Sequence, residues 1–117
     1  PALARQLLGP ERLIGRSTHA ISQLRQAVAD GCDYVGVGPV NATPTKPGRE
    51  PVGLAYVRQA AAESPIPFFA IGGLECTNIE AVRQAGAQRV AVVRAITAAA
   101  DPAAATTALL QALGQQA

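Results

Sequence analysis

The 117 residues carry a formal charge of +2 and are 49% hydrophobic and 3% aromatic, which excludes a disordered chain and predicts one domain with a real core. Ten scattered Lys and Arg form no basic stripe, and so few aromatics offer no stacking platforms; nucleic-acid binding is not expected on that ground, while a small anionic ligand needs only a few placed cations. The two cysteines, Cys32 and Cys76, lie far apart without a metal-ligand or disulfide spacing, and are expected to be free thiols in a reducing compartment. The apolar runs near 66–71 and 90–100 are broken by Pro67 and Arg94, well short of a span of roughly 18 residues, and no signal peptide is visible. The chain begins at Pro1 and has no Met, so a native translation start is not expected there.

In chain order, Leu3, Leu7 and Leu8 make a short apolar stripe at helical spacing, predicting the end of a helix that stops at Gly9 and Pro10. Residues 12–16, RLIGR, read as a strand centred on Leu13 and Ile14, with Ser17, Thr18 and His19 at its carboxyl end. Ile21, Leu24, Ala27 and Val28 then fall on one face of a helix that ends at Asp30 and Gly31. Residues 33–37, DYVGV, read as a second strand, and Leu54, Val57, Ala60 and Ala61 as the face of a second helix, closed by Ser64 and Pro65. Residues 67–71, PFFAI, read as a strand buried on both faces, followed by Gly72 and Gly73. Thr77 and Glu80 have the spacing of a capping box before a helix containing Ile79 and Val82. A last strand is expected over 89–93, then a helix with Asp101 as N-cap, Pro102 in its first turn and a side formed by Leu109, Leu110 and Leu113.

Strands alternating with helices imply a parallel α/β sheet, either doubly wound or closed as a barrel. Ligands of such folds sit beyond the carboxyl ends of the strands. There the chain places its longest polar segment, residues 36–53, GVGPVNATPTKPGREPVG. Thr43 and Thr45 offer hydroxyls and Lys46 a compact positive charge, groups suited to phosphate oxygens, while Pro39, Pro44, Pro47 and Pro51 stiffen the segment. The same composition also suits an ordinary surface turn. Gly72 and Gly73 either let backbone N–H groups approach a phosphate or simply permit a tight turn.

The ordered set STH (17–19), DYVGVGPV (33–40), TPTKPG (43–48), PVGL (51–54), AIGGL (70–74) and VAVVRAI (90–96) resembles thiamine phosphate synthase over nearly the whole chain. AIGG recurs in many barrels; the set with TPTK is specific. The resemblance implies a TIM barrel, (β/α)8, that couples a pyrimidine methyl diphosphate to a thiazole ethyl phosphate and releases pyrophosphate with magnesium, in the cytoplasm. By position it assigns Ser17 and Lys46 to the pyrimidine diphosphate, with Lys46 catalytic, and Thr43, Pro44, Thr45, Gly73, Val93 and Arg94 to the thiazole phosphate. Many members carry Ser where this chain has Arg94; a backbone N–H contact survives that change and a hydroxyl contact does not. His19 is left out of the catalytic set, since a lone histidine at a strand end is more often structural.

The family's magnesium-binding aspartates and its Gln, Arg and Lys contacts to the diphosphate lie on the first four strands, and nothing in this chain matches them. Residues 1–117 are therefore expected to be the C-terminal half of a barrel, with Mg2+ bound by residues outside this sequence. A whole barrel needs about 250 residues and eight strands. Either the sequence is a fragment, or another chain supplies the other half, or two copies close on each other. The related thiazole tautomerase, which resembles the chain around STH but lacks the complete TPTK, and an inactive half-barrel that only binds phosphate, are the competing readings.

Overall fold

A computed structural model describes residues 2–41 and 53–114. Its elements are α1 (Ala2–Leu8), β1 (Gly15–Thr18), α2 (Ile21–Ala29), β2 (Tyr34–Val37), α3 (Gly53–Glu63), β3 (Phe68–Ile71), α4 (Ile79–Gln84), β4 (Val90–Ala91), α5 (Arg94–Thr97) and α6 (Pro102–Ala112). The four strands form one parallel sheet in the order β1-β2-β3-β4, without the reversal of strand order that marks a doubly wound sheet. The register pairs Ser17 with Gly36, Val37 with Ala70, and Ala70 with Val90.

Side chains alternate across a strand, so each strand has one face turned to the helices and one turned away. Thr18, Val35, Val37, Phe68 and Ala70 are buried, whereas Ser17, Tyr34 and Ile71 on the other parity are exposed. The buried set packs with Leu24 and Ala27 of α2, Tyr56, Val57 and Ala60 of α3, Ile79 and Val82 of α4, and Leu109 of α6. Full burial of one such large apolar side chain contributes about 1.5–3 kcal/mol. The expectation that 67–71 is buried on both faces is corrected here: Phe69 is half-buried and Ile71 is exposed, because only one side of the sheet carries helices.

Three further expectations need correction. The first strand lies at Gly15–Thr18, not 12–16; Leu13 is exposed, and Ser17 and Thr18 are strand residues. Thr77 forms no capping box with Glu80: its hydroxyl donates to Glu75 Oε1 at 2.7 Å, Glu80 faces Arg83 and Gln84, and Asn78 precedes α4 without a side-chain cap. The last strand is confined to Val90–Ala91, and Arg94 opens the short α5. The α6 expectation matches the structure, with Asp101 Oδ1 accepting from the Ala104 N–H at 3.1 Å.

The leucines of α1 are exposed, so polar contacts tie that helix to the sheet. Arg5 donates to Asp33 Oδ2 at 2.9 Å and to the Arg12 carbonyl at 2.7 Å, and the same Asp33 oxygen accepts from the Ile14 N–H at 2.8 Å. These bonds, the Arg5 contact above all, hold the Asp33 carboxyl below the usual carboxylate range. Cys32 is buried and Cys76 exposed, both as free thiols. Among the described residues, no helix is long and apolar enough to cross a membrane.

Candidate functional site

All strands being parallel, Thr18, Val37, Ile71 and Ala91 end on the same side of the sheet, and the segments that follow them gather there. Ser17 lies one residue before the end of β1 on the face turned from the helices. It borders a concavity of about 750 Å³ shared with Tyr34, Gly36, Phe69, Ile71 and Ala91. Opposite Ser17 stands Gly36, where a Cβ would meet the serine Cα and Oγ only in ordinary contact, at 3.8 and 4.0 Å.

After β2 the chain runs against the end of β3. Gly38 passes the Ile71 carbonyl so closely that a Cβ would fall 2.1 Å from its oxygen. The Val40 N–H donates to Ile71 O at 2.9 Å, and the Asn41 N–H to Gly72 O at 3.1 Å. Asn41 Nδ2 reaches the carbonyls of Gly72 and Gly73 at 3.5 and 3.4 Å, and Asn78 Nδ2 donates to Gly73 O at 2.8 Å. The Gly72–Gly73 turn, at φ +113 and +62, thus has its carbonyls anchored by two asparagine side chains. Among the described residues no hydrogen bond engages the Gly73 N–H. A turn with bound carbonyls and available amides is suited to anions.

The Gly53 N–H donates to the Val40 carbonyl at 3.1 Å, which brings the described ends of the long polar segment together. Of the residues singled out in the sequence, Ser17, Gly73, Val93 and Arg94 lie at the carboxyl ends of β1, β3 and β4; Val93 and Arg94 are exposed at the start of α5. Thr43, Pro44, Thr45 and Lys46 lie outside the described residues. His19 follows β1 and donates its backbone N–H to Gln23 Oε1 at 2.7 Å. Asn41 and Asn78 were not singled out in the sequence, although an Asn flanking a Gly-Gly turn is a signal for side-chain anchoring of its carbonyls. Among the described residues no three His, Cys, Asp or Glu stand together.

A singly wound parallel sheet with its loops gathered over the carboxyl ends of the strands defines an α/β protein of the class in which ligands bind at that end. Residues 1–96 match the family model described as thiamine monophosphate synthase, and the chain belongs to that family. It is 59% identical over 111 residues to the thiamine-phosphate synthase of Prochlorococcus marinus (strain MIT 9303), covering 95% of this chain and 31% of that protein. It is likewise 59% identical over 114 residues to the thiamine-phosphate synthase of Gloeobacter violaceus, covering 97% and 33% of the two chains. The chain thus spans about a third of the length of these curated relatives. The fold matches the thiamine phosphate pyrophosphorylase of Pyrococcus furiosus with a TM-score of 0.86 at 29% identity, over 96% of this chain and 53% of that one. A 3-hexulose-6-phosphate synthase matches with a TM-score of 0.63 at 30% identity, over 94% and 53%.

Proposed function

We propose that residues 1–117 form the C-terminal half of a (β/α)8 barrel that couples 4-amino-5-hydroxymethyl-2-methylpyrimidine diphosphate with 4-methyl-5-(2-phosphoethyl)thiazole, giving thiamine phosphate and pyrophosphate. The observation that carries this reading is the family match over 1–96, which includes Ser17, the TPTK segment, the Gly72–Gly73 turn and the Val93–Arg94 turn. The unreversed strand order and the sheet face without helices support the half-barrel. The curated relatives support the synthase over the tautomerase alternative.

In this reading Ser17 and Lys46 hold the diphosphate. Lys46 is the catalytic group, because its ammonium neutralises charge that builds on departing pyrophosphate, and that stabilisation is worth most as the C–O bond breaks. Thr43 and Thr45 donate hydroxyl hydrogens to the thiazole phosphate, Pro44 holds the backbone between them, and the Gly73 amide and the Val93–Arg94 turn complete the cradle. Arg94 adds a cation at that phosphate. Mg2+ belongs with residues outside this sequence, where it would neutralise diphosphate charge. Phosphorylated small molecules are the partners, the other half-barrel or a second copy is the structural complement, and the cytoplasm is the proposed location.

The test is Lys46→Ala in a full-length enzyme carrying this segment, with steady-state kinetics on both substrates. We expect kcat to fall by about 10² or more, by analogy with loss of one preorganised charge-stabilising donor. Unchanged kcat with a raised KM would make Lys46 a docking group. Thiazole isomerisation without coupling would overturn the synthase reading.

A further inference from the structure

In a planar trans peptide the carbonyl and the next residue's N–H point in opposite directions, so a bond that holds the one aims the other. The peptides of the turn after β3 are trans. The Gly72 carbonyl accepts from the Asn41 N–H at 3.1 Å, and Asn41 belongs to the segment that follows β2. β2 and β4 flank β3 on opposite edges. The Gly73 N–H is therefore aimed toward the β4 side, where Val93 and Arg94 lead into α5.

Asn78 sets the next peptide. Its Nδ2 donates to the Gly73 carbonyl at 2.8 Å, shorter than the 3.4 Å contact from Asn41 Nδ2 to the same oxygen, and its Oδ1 accepts from the Glu75 N–H at 2.9 Å. Leu74 and Ile79, on either side of this bridge, are 4% and 0% exposed, so Asn78 acts from a frame fixed in the core. By the same planar geometry the Leu74 N–H points away from the two asparagines. Among the described residues neither it nor the Gly73 N–H meets an acceptor. A backbone donor in a buried residue such as Leu74 is rarely left without one. Two successive unpaired amides beside two paired carbonyls are the pattern of a turn arranged to receive an anion.

We infer that Asn78 is a positioning residue for the monophosphate: by holding the Gly73 carbonyl it presents the Leu74 amide as a second donor next to that of Gly73, so the phosphate takes two backbone N–H groups from this turn. The inference rests on the proposed function for the identity of that phosphate, the one carried by the thiazole. Asn78 touches no substrate in this scheme; it acts through the peptide between Gly73 and Leu74.

The experiment compares Asn78→Ala, Asn78→Asp and Asp101→Ala in a full-length enzyme carrying this segment. Melting midpoints, kcat and the KM of each substrate are measured, and the Gly73 and Leu74 amide resonances are followed by NMR during titration with inorganic phosphate. In Asn78→Ala the KM for the thiazole phosphate should rise roughly tenfold, the order of one hydrogen bond to a charged group. Turnover and the KM for the pyrimidine diphosphate should stay near wild type, because this phosphate is not the reacting group and is bound alike before and during the reaction. Asp101→Ala, which removes the cap of α6, controls for lost stability and keeps both KM values. Asn78→Asp keeps an acceptor for the Glu75 N–H but loses the donor to Gly73, and should raise the thiazole phosphate KM at least as far. A wild-type KM in Asn78→Asp overturns the inference even where Asn78→Ala does not fold. So does a change in both KM values and kcat that follows the midpoint, which marks a structural role alone. If the wild-type enzyme couples nothing, the proposed function fails instead and the titration decides: saturable shifts of both amides that weaken in Asn78→Ala support the inference, and absent shifts or equal affinities overturn it.

Discussion

Gly72→Ala should lower stability far more than an ordinary surface substitution, and the reason can be worked out atom by atom. Gly72 sits at φ +113, and a Cβ there would lie 2.5 Å from Pro39 Cα, 2.7 Å from Pro39 Cβ and 2.8 Å from the Val40 nitrogen. Two of these atoms are backbone and the third belongs to a ring, so no rotamer change relieves the contact. The 39–41 backbone can retreat only by stretching the Val40–Ile71 bond of 2.9 Å and the Asn41–Gly72 bond of 3.1 Å. Left-handed strain costs about 1–3 kcal/mol, and each weakened hydrogen bond about 0.5–1.5 kcal/mol. Together these come to about 2–6 kcal/mol, against a total stability of about 5–15 kcal/mol for a domain. At about 4–8 °C per kcal/mol for a chain near this size, the melting midpoint should fall by roughly 10 °C or more. Gly31→Ala is the control, because Gly31 has φ +84 but no atom within 4 Å of the added methyl. Its loss should be only the conformational part, about 1–2 kcal/mol. Thermal melts followed by circular dichroism, on the chain or on a longer protein carrying it, give both values. If Gly72→Ala melts as high as Gly31→Ala, the packing of the Gly72 turn against Pro39 and Val40 is wrong.

Asp101→Ala removes the acceptor for the Ala104 N–H and should cost about 1 kcal/mol, with Asp101→Asn recovering most of it in the same melts. Asp33, Asp30 and Glu63 are held below the usual carboxylate range by Arg5, Arg16 and Arg25 respectively. Between their folded and unfolded pKa values the unfolded chain binds more protons, so their contribution is present above the unfolded value and lost as pH falls below about 4. Midpoints measured between about pH 7 and pH 2 should drop over the acid range, and less steeply in Asp33→Asn; a flat profile below pH 4 would contradict the ion-pair geometry. The isolated 117 residues, of 11.9 kDa, should sediment as dimers or larger, since Tyr34 and Ile71 on the open sheet face are each 38% exposed. They should also fail to couple the two substrates; a stable monomer with magnesium-dependent synthase activity would refute the half-barrel proposal.

Helix periods carried well from sequence to structure where the buried side was purely apolar. Leu24 and Ala27 of α2, and Val57 and Ala60 of α3, are where the spacing put them. The first strand was misplaced because Leu13 and Ile14 drew it toward the only large apolar side chains nearby. The strand residues themselves, Gly15, Arg16, Ser17 and Thr18, are small or polar, and Thr18 is buried through hydrogen bonds, not apolarity. Tyr56 escaped for the related reason that the partner of its buried hydroxyl, Thr18, lies 38 positions away, where local periodicity does not register it. The capping box failed because a sequence spacing does not say which acceptor a hydroxyl will choose, and Thr77 found Glu75 closer. For the site, Ser17 and Gly73 were legible by motif and lie at strand ends, whereas the asparagine clamp on the Gly72–Gly73 carbonyls emerges only when the segments after β2 and β3 are brought side by side.

The hydrogen bond from the Gly53 amide to the Val40 carbonyl brings together the two ends of a detour in the chain between β2 and α3. Lengthening such a detour is thermodynamically mild, since each doubling of a flexible loop costs only about 0.6 kcal/mol. Asn41 is bonded to Gly72, so it is insertions, deletions or exchange between Asn41 and Gly53 that should leave the pairing of β2 with β3 untouched. Sheet and interval become separately heritable: a lineage can vary the interval while every strand keeps its neighbours. An engineer can do the same, by transplanting the interval from another parallel-sheet protein and keeping Asn41 and Gly53 as the splice points.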